Sequence, residues 1–282
     1  MSTGVAAGVP TAMIGVRAVA EREVSSTDHV RAVGRAVAIL EQFSIEQPEL
    51  TFSEICAAVG LSKSTTHRLL CTLEREGVLE YDARTSRYRL SLKVFRLGSV
   101  VGSSMQLTTQ ADALLEQLAE DTSETAFMVV PDGDEALCLR RVDGGQHVRV
   151  LFLETGMRQA FNCGAAPRVM LAHMPPERWE DIVTSHIRRM TEHSLVTRAD
   201  LERDTREIRE RGYAVSWEDV TLHACALGAP VYDESGAVVA ALSLSGIVQH
   251  FTPDTLPGMV SKVVAAADEL SRRLGYVAWS RT

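Results

Sequence analysis

Residues 50–90, LTFSEICAAVGLSKSTTHRLLCTLEREGVLEYDARTSRYRL, limit what this chain can fold into more than any other stretch. Thr51 with Glu54 three residues on is a capping box, so a helix begins there. Ile55, Ala58 and Val59 give that helix a buried side. Gly60 ends it with the residue that tolerates a left-handed turn, and Leu61 plugs the angle beyond. Ser62 caps a further helix, KSTTHRLLCTLERE, which closes at Gly77. Its buried stripe is Thr66, Leu69, Leu70 and Leu73, and its opposite face carries Lys63, Ser64, Thr65, His67 and Arg68. Residues 78–81 and 88–90 alternate like two strands, joined by a tip at 82–87.

Helix, tight turn, polar-start helix and hairpin suit a protein that lays its second helix in a DNA major groove about 12 Å wide, braced by the first. The turn needs a small residue, here Gly60. The groove helix needs a polar, non-acidic first half, and short donors such as Ser62 and Ser64 suit a phosphate near the positive end of a helix dipole. Arg84, Arg87 and Arg89 on the hairpin suit phosphates or a narrow minor groove. From residue 62 to 89 six basic residues stand against four acidic ones, and Glu74, Glu76, Glu80 and Asp82 fall late in the helix or in the hairpin approach. The candidate DNA-contacting set is Ser62, Lys63, Ser64, Thr65, His67, Arg68, Arg84 and Arg87. The competing reading is a small helical subdomain whose charges are merely solvated.

Charge is divided unevenly. Residues 1–90 hold 10 Lys and Arg against 11 Asp and Glu, whereas residues 91–282 hold 19 against 26, so most of the net charge of −8 lies in the C-terminal part. A near-neutral N-terminal part binds DNA only if its basic residues gather on one face. Five scattered cysteines with no CxxC pair argue against a disulfide framework or a zinc ribbon and fit a reducing cytoplasm. No apolar run approaches the roughly 20 residues of a membrane-spanning helix. The small-residue start lacks the basic and apolar regions of a signal peptide.

At 282 residues the chain is comfortable for two domains. The pattern gives a disordered lead at 1–27, with Met13 as an alternative start, a DNA-binding domain at 28–90, a linker helix at 91–106, a second domain at 107–276 and a tail at 277–282. A helix over 28–43 shows Val30, Val33, Val37 and Leu40 on one face, widened by Ile39 and Phe43. In the second domain a helix is expected at 107–120, then strands at 125–130, 136–142 and 148–153, separated by Asp-Gly turns. Helices follow from Gly164 to His173, from Pro175-Pro176, and over 198–211. Strands at 213–216, 224–232 and 237–245 precede a final amphipathic helix at 253–274. This order predicts an α+β fold with a mixed or antiparallel sheet.

The segment LTFSEICAAVGLSKSTTHRLLCTLEREGVLEYDARTSRYRLSLKVFRLG closely resembles the winged helix-turn-helix of the IclR transcriptional regulators. ETAFMVV, LETGM, EIRERGYAVSWED and GAPVYDESGAVVAALSLSG stand in the order expected of that family's effector-binding domain, so the resemblance covers about residues 29–275. It implies a GAF-like ligand domain and a homodimer built partly through the N-terminal and linker region, often as a dimer of dimers. Such a dimer reads a roughly palindromic operator.

The resemblance also places a small-molecule pocket between the sheet and the helix after LETGM, commonly for a small organic or aromatic acid. Here Gly164, Ala165 and Ala166 would offer backbone N–H groups to a carboxylate. Ser243 and Ser245, two apart on one strand, would donate to the ligand from one side. His223 and Cys225 are the further pocket candidates. The chain departs from the family with Pro167-Arg168 for a Gly-Lys pair, Asn162 for a histidine, His223 near a usual glycine, and Ala226 where a cysteine is usual. These changes imply an effector unlike glyoxylate or pyruvate. No Walker loop, nucleophile elbow, HExxH or Ser/His/Asp set is present. The expectation is therefore a non-enzymatic, cytoplasmic transcriptional regulator, a repressor rather than an activator, with no metal and no cofactor. The alternative is a ligand-binding or enzymatic GAF-like protein with an accessory DNA-binding domain.

Overall fold

The first helix, α1 (Arg31–Leu40), is shorter than the periodicity suggests; Val30 caps it without a side-chain bond, and it unwinds through backbone turns at Gln42 and Phe43. The computed structural model describes residues 30–44, 47–104, 106–145 and 153–277. The 1–27 lead, Met13, the start of the 28–43 helix, all but the last residue of the 148–153 strand and all but the first of the 277–282 tail lie outside them.

The apolar face of α1 divides differently from the expectation. Ile39 and Phe43 enter the core with Leu50, Ile55, Leu70, Leu73, Leu79 and Tyr88. Val30, Val33 and Val37 are 64%, 61% and 45% exposed. Two apolar stripes lie side by side on this helix, and the core takes the one centred on Ile39. Thr51 opens α2 (Phe52–Val59) with the reciprocal capping box, its N–H donating to Glu54 Oε2 at 2.7 Å. That bond holds the Glu54 carboxyl below its usual range. Gly60 takes the left-handed turn at φ 64°. Ile55 is buried, but Ala58 faces solvent.

Ser62 caps α3 (Lys63–Arg75), which buries Thr66, Leu70 and Leu73. The hairpin strands are β2 (Leu79–Asp82) and β3 (Arg87–Leu90), in register from Leu79 opposite Leu90 to Asp82 opposite Arg87. A strand not anticipated, β1 (Glu49–Thr51), pairs antiparallel with β3 and completes a sheet of order β1-β3-β2. The next helix, α4 (Leu92–Ser104), contains the division between two compact units, which falls between Leu97 and Gly98.

The second unit is built on an antiparallel sheet of order β6-β5-β4-β9-β8-β7. In chain order its elements are α5 (Gln106–Thr122), β4 (Thr125–Asp132), β5 (Glu135–Val142), β6 (Arg158–Ala160), α6 (Ala165–His173), α7 (Pro176–Ser185) and α8 (Arg198–Arg211). Then come β7 (Ala214–Trp217), β8 (Ala224–Tyr232), β9 (Val238–Ile247) and α9 (Leu256–Arg273). Side-chain alternation along the strands sends the two faces into different cores. Ala240, Leu242 and Leu244 meet α5 and α9 on one face. Phe127, Ala136, Ala226 and Ala241 meet α6, with Ile182 of α7 and Leu201 and Ile208 of α8, on the other. The first turn of α6 presses against β8 at Gly228, where an added Cβ would sit 2.8 Å from Ala165 C and Ala166 N. Only glycine permits that approach.

Candidate DNA interface and effector site

Side-chain oxygens gather at the start of α3. Ser62 Oγ accepts from the Thr65 N–H at 3.3 Å and lies 2.8 Å from Thr65 Oγ1 and 3.2 Å from Ser64 Oγ. Ser62, Lys63, Ser64, His67 and Arg68 are exposed and Thr65 is half-buried. His67 is steadied from beneath, its ring edge-on to Phe52 at 6.1 Å and its Nδ1 3.6 Å from Cys71 Sγ. The helix therefore presents a cationic, hydroxyl-rich first turn to solvent, where its unpaired N–H groups add partial positive charge.

The wing arginines are not equivalent. Arg84, in the turn beyond β2, has a side chain 89% exposed, with Nη2 at a loose 4.0 Å from Asp82 Oδ2. Arg87 Nη1 donates to the Glu49 carbonyl at 3.1 Å and lies 3.8 Å from Glu54 Oε2, so it ties the wing to β1 and α2. Arg89 is held on Glu80 by two bonds of 2.9 and 2.8 Å. The sequence counts three arginines at the hairpin; the structure leaves one at the tip turn and engages two as braces on β3.

In the second unit the start of α6 is buried. Gly164, its N-cap at φ 81°, donates its N–H to Asp219 Oδ2 at 3.2 Å. Asp219 is 2% exposed and also accepts from the Ser216 hydroxyl and from Arg168 Nη1 at 3.0 Å. Arg168 holds Asp204 through Nε at 2.8 Å and through Nη2. Burial works against the Arg168 charge, but its bonds to Asp204 and Asp219 prevail and raise its pKa. The Arg168 departure noted in the sequence thus belongs to a buried cluster of one cation and two carboxylates. Asp219 was not among the expected site residues, although it closes the EIRERGYAVSWED segment; it lies 55 positions from Gly164.

Ser243 and Ser245 face the α6 layer, 5% and 3% exposed, and Ser243 pairs with Gly228 beneath the first turn of α6. Their hydroxyls donate to Leu227 O at 2.6 Å and Cys225 O at 3.1 Å. The structure therefore gathers Gly164, Ala165, Ala166, Ser243 and Ser245 on one face. It does not bring the other two candidates there. Cys225 packs into the α5–α9 core on the opposite face, where burial pushes its thiol up. His223 sits in the β7–β8 turn at φ 65° with its side chain 80% exposed, beside Glu218. Burial likewise pushes the Cys163 thiol to about 11 and Cys138 to about 12, so these cysteines behave as small hydrophobes. Asn162 bridges the backbone of Arg188 and Leu195, pinning the segment after α7.

Among the described residues, Asp134, Asp181 and His186 have ligand atoms close enough for a metal. The Arg178 guanidinium already bonds both carboxylates and supplies the positive charge there.

A winged helix-turn-helix with a polar, cationic groove helix, followed by a separate sheet-and-helix unit, defines a DNA-binding protein with a regulatory domain. Residues 32–83 match the IclR helix-turn-helix domain and residues 100–272 match the bacterial transcriptional regulator IclR C-terminal domain. The chain belongs to the IclR family of transcriptional regulators, and it is not an enzyme. It is 31% identical to the HTH-type transcriptional regulator KipR of Bacillus subtilis, over 87% of this chain and 98% of that one. It is 26% identical to the transcriptional repressor IclR of Escherichia coli, over 89% and 92%. An IclR homologue from Microbacterium hydrocarbonoxydans, solved with 4-hydroxybenzoate, matches with a TM-score of 0.77 at 23% identity, covering 86% of this chain and 98% of that chain. No helix among the described residues is long and apolar enough to cross a membrane.

Proposed function

We propose that this regulator is a cytoplasmic repressor that binds a roughly palindromic operator as a homodimer or dimer of dimers, and that a small organic or aromatic acid in the C-terminal domain controls that binding. The observation that carries the DNA-contacting assignment is the exposed first turn of α3, with Lys63, Ser64, His67 and Arg68 open to solvent beside the Ser62 cap. Arg84 at the wing tip adds a phosphate contact, while Thr65 and Arg87 help set the geometry. Two apolar surfaces support self-association: Val30, Val33 and Val37 on α1, and Leu92, Phe95 and Leu97 on α4, all exposed. A second copy would cover these surfaces and set two groove helices about one DNA turn apart.

The acid effector is supported by the homologue that holds 4-hydroxybenzoate. Its seat is proposed on the α6 face of the sheet, with Gly164, Ala165, Ala166, Ser243 and Ser245. His223 and Cys225, which lie elsewhere, drop out of that set. Binding there would shift the population of dimer geometries that fit the operator.

The test is operator retardation with the promoter-proximal DNA of the neighbouring genes. Arg68→Ala or Lys63→Ala should weaken binding by about 1–3 kcal/mol with an unchanged melting temperature. Ser243→Ala with Ser245→Ala should leave DNA binding intact and blunt release by the effector. Full-strength retardation by both α3 variants at matched salt would overturn the DNA assignment.

A further inference from the structure

Gln159 lies on β6 opposite Ala136 of β5, on the sheet face that α6 covers. It is about nine-tenths buried, and its amide nitrogen Nε2 has no hydrogen-bond partner. A Cβ built on Gly164 would find that nitrogen as its nearest neighbour, at 3.0 Å, with Val220 Cγ2 at 3.4 Å. An orphan donor therefore stands against the cap of α6. Buried donors are almost always paired, and one that is not calls for a partner. Within the protein the cap has found its own: the Gly164 N–H holds the Asp219 carboxylate.

The charges nearby narrow what can approach. Asp204 and Asp219 outnumber Arg168 by one. A second carboxylate set against Asp219 meets repulsion in a low-dielectric site, whereas an uncharged oxygen does not. We propose that Gln159 is a specificity residue of the effector site, its Nε2 donating to a hydroxyl or oxo oxygen of the effector, so that the site selects hydroxy or oxo acids over the plain acids of the same skeleton. This rests on the acid-effector reading above. It moves recognition of the ligand's uncharged oxygen to β6 and leaves its carboxylate to another part of the face.

Calorimetry on the full chain with two probe pairs, 4-hydroxybenzoate against benzoate and lactate against propionate, tests it. The wild type should bind the oxygenated member of at least one pair about tenfold more tightly. Gln159→Leu and the similarly sized Gln159→Met should bring that ratio to about one. Their ligand-free melting temperature should hold or rise, because an unpaired buried donor has been removed. Variants that keep the wild-type ratio would overturn the Gln159 role and leave the acid-effector reading standing. So would a melting temperature several degrees lower in both variants, which marks Gln159 as a structural residue. A wild type that binds none of the four acids would overturn the acid-effector reading and this inference with it.

Discussion

Two helix N-termini in this protein use the same physics to opposite ends. The start of α3 is open: Ser62, Lys63 and Ser64 stand in solvent, its first turn holds no acidic residue, and its cap is the uncharged Ser62 hydroxyl, which accepts from the Thr65 N–H. The start of α6 is closed: Gly164 donates to Asp219, which Arg168 holds in place under a layer of helices. A helix terminus attracts an anion wherever it lies. What differs is whether the protein supplies the anion itself. The open terminus keeps its attraction for a phosphate of another molecule. The closed one turns that attraction into a fixed joint between α6 and the turn before β8, and the Gly164 N–H is no longer available to a ligand on that face.

The closed half of this contrast is the easier to break. Arg168→Ala leaves Asp204 and Asp219 buried without their cation, and removing one partner of a buried charge cluster costs about 3–5 kcal/mol. The urea midpoint of the second unit should fall accordingly with an unchanged slope. A loss below about 1 kcal/mol, the range of exposed ion pairs, would mean that water reaches the cluster and that the terminus of α6 is not closed.

The open half carries the same contrast in miniature at the wing. Arg84 is exposed and only loosely paired, 4.0 Å from Asp82, whereas Arg89 is clamped on Glu80 by bonds of 2.9 and 2.8 Å. Each phosphate contact contributes about 0.9 to the slope of log affinity against log salt. Arg84→Ala should therefore lower that slope by about one. Arg89→Ala should leave it unchanged and disturb only the hairpin pairing, because a solvent-exposed pair is screened and contributes little. Equal slopes for the two variants would erase the distinction between available and engaged arginines.

What the sequence makes legible follows the range of each interaction. The Thr51–Glu54 box, the Gly60 turn and the Ser62 cap act over three or four residues, and each stands where the local pattern puts it. The β1 strand escapes such reading because Glu49, Leu50 and Thr51 have no period of their own; they become a strand only by pairing with Arg87–Arg89, far along the chain. Val30, Val33 and Val37 are correctly seen as an apolar face, but periodicity cannot say whether core or partner covers it. In the second unit, alternation identifies β8 and β9 and puts Ser243 and Ser245 on one side. It cannot foresee that their hydroxyls turn to backbone carbonyls, or that Asp219 crosses 55 residues to fill the cap. The resemblance sets the usual pocket cysteine at the position of Ala226, which does face α6; Cys225, one residue earlier on β8, alternates to the other face.

The opposite end of α6 offers the finest test. His173, in its last turn, lies with Nδ1 2.8 Å from the Val169 carbonyl and Nε2 3.2 Å from the Tyr232 hydroxyl. A neutral ring that donates from Nδ1 and accepts at Nε2 satisfies both contacts. A helix C-terminus favours a cation, but burial outweighs it and, with Arg209 nearby, lowers the His173 pKa below its ordinary value. The native fold thus prefers the neutral ring. The stability this contributes is complete above the unfolded value, about 6.5, and is lost as pH falls through the lower native value. His173→Phe keeps the edge-on contact with the Tyr232 ring and removes the titration. Between about pH 7.5 and pH 5 its melting temperature should fall less than that of the wild type. An equal fall would mean that the ring of His173 is already charged or solvated in the native protein, so that α6 is sealed at its first turn and open at its last.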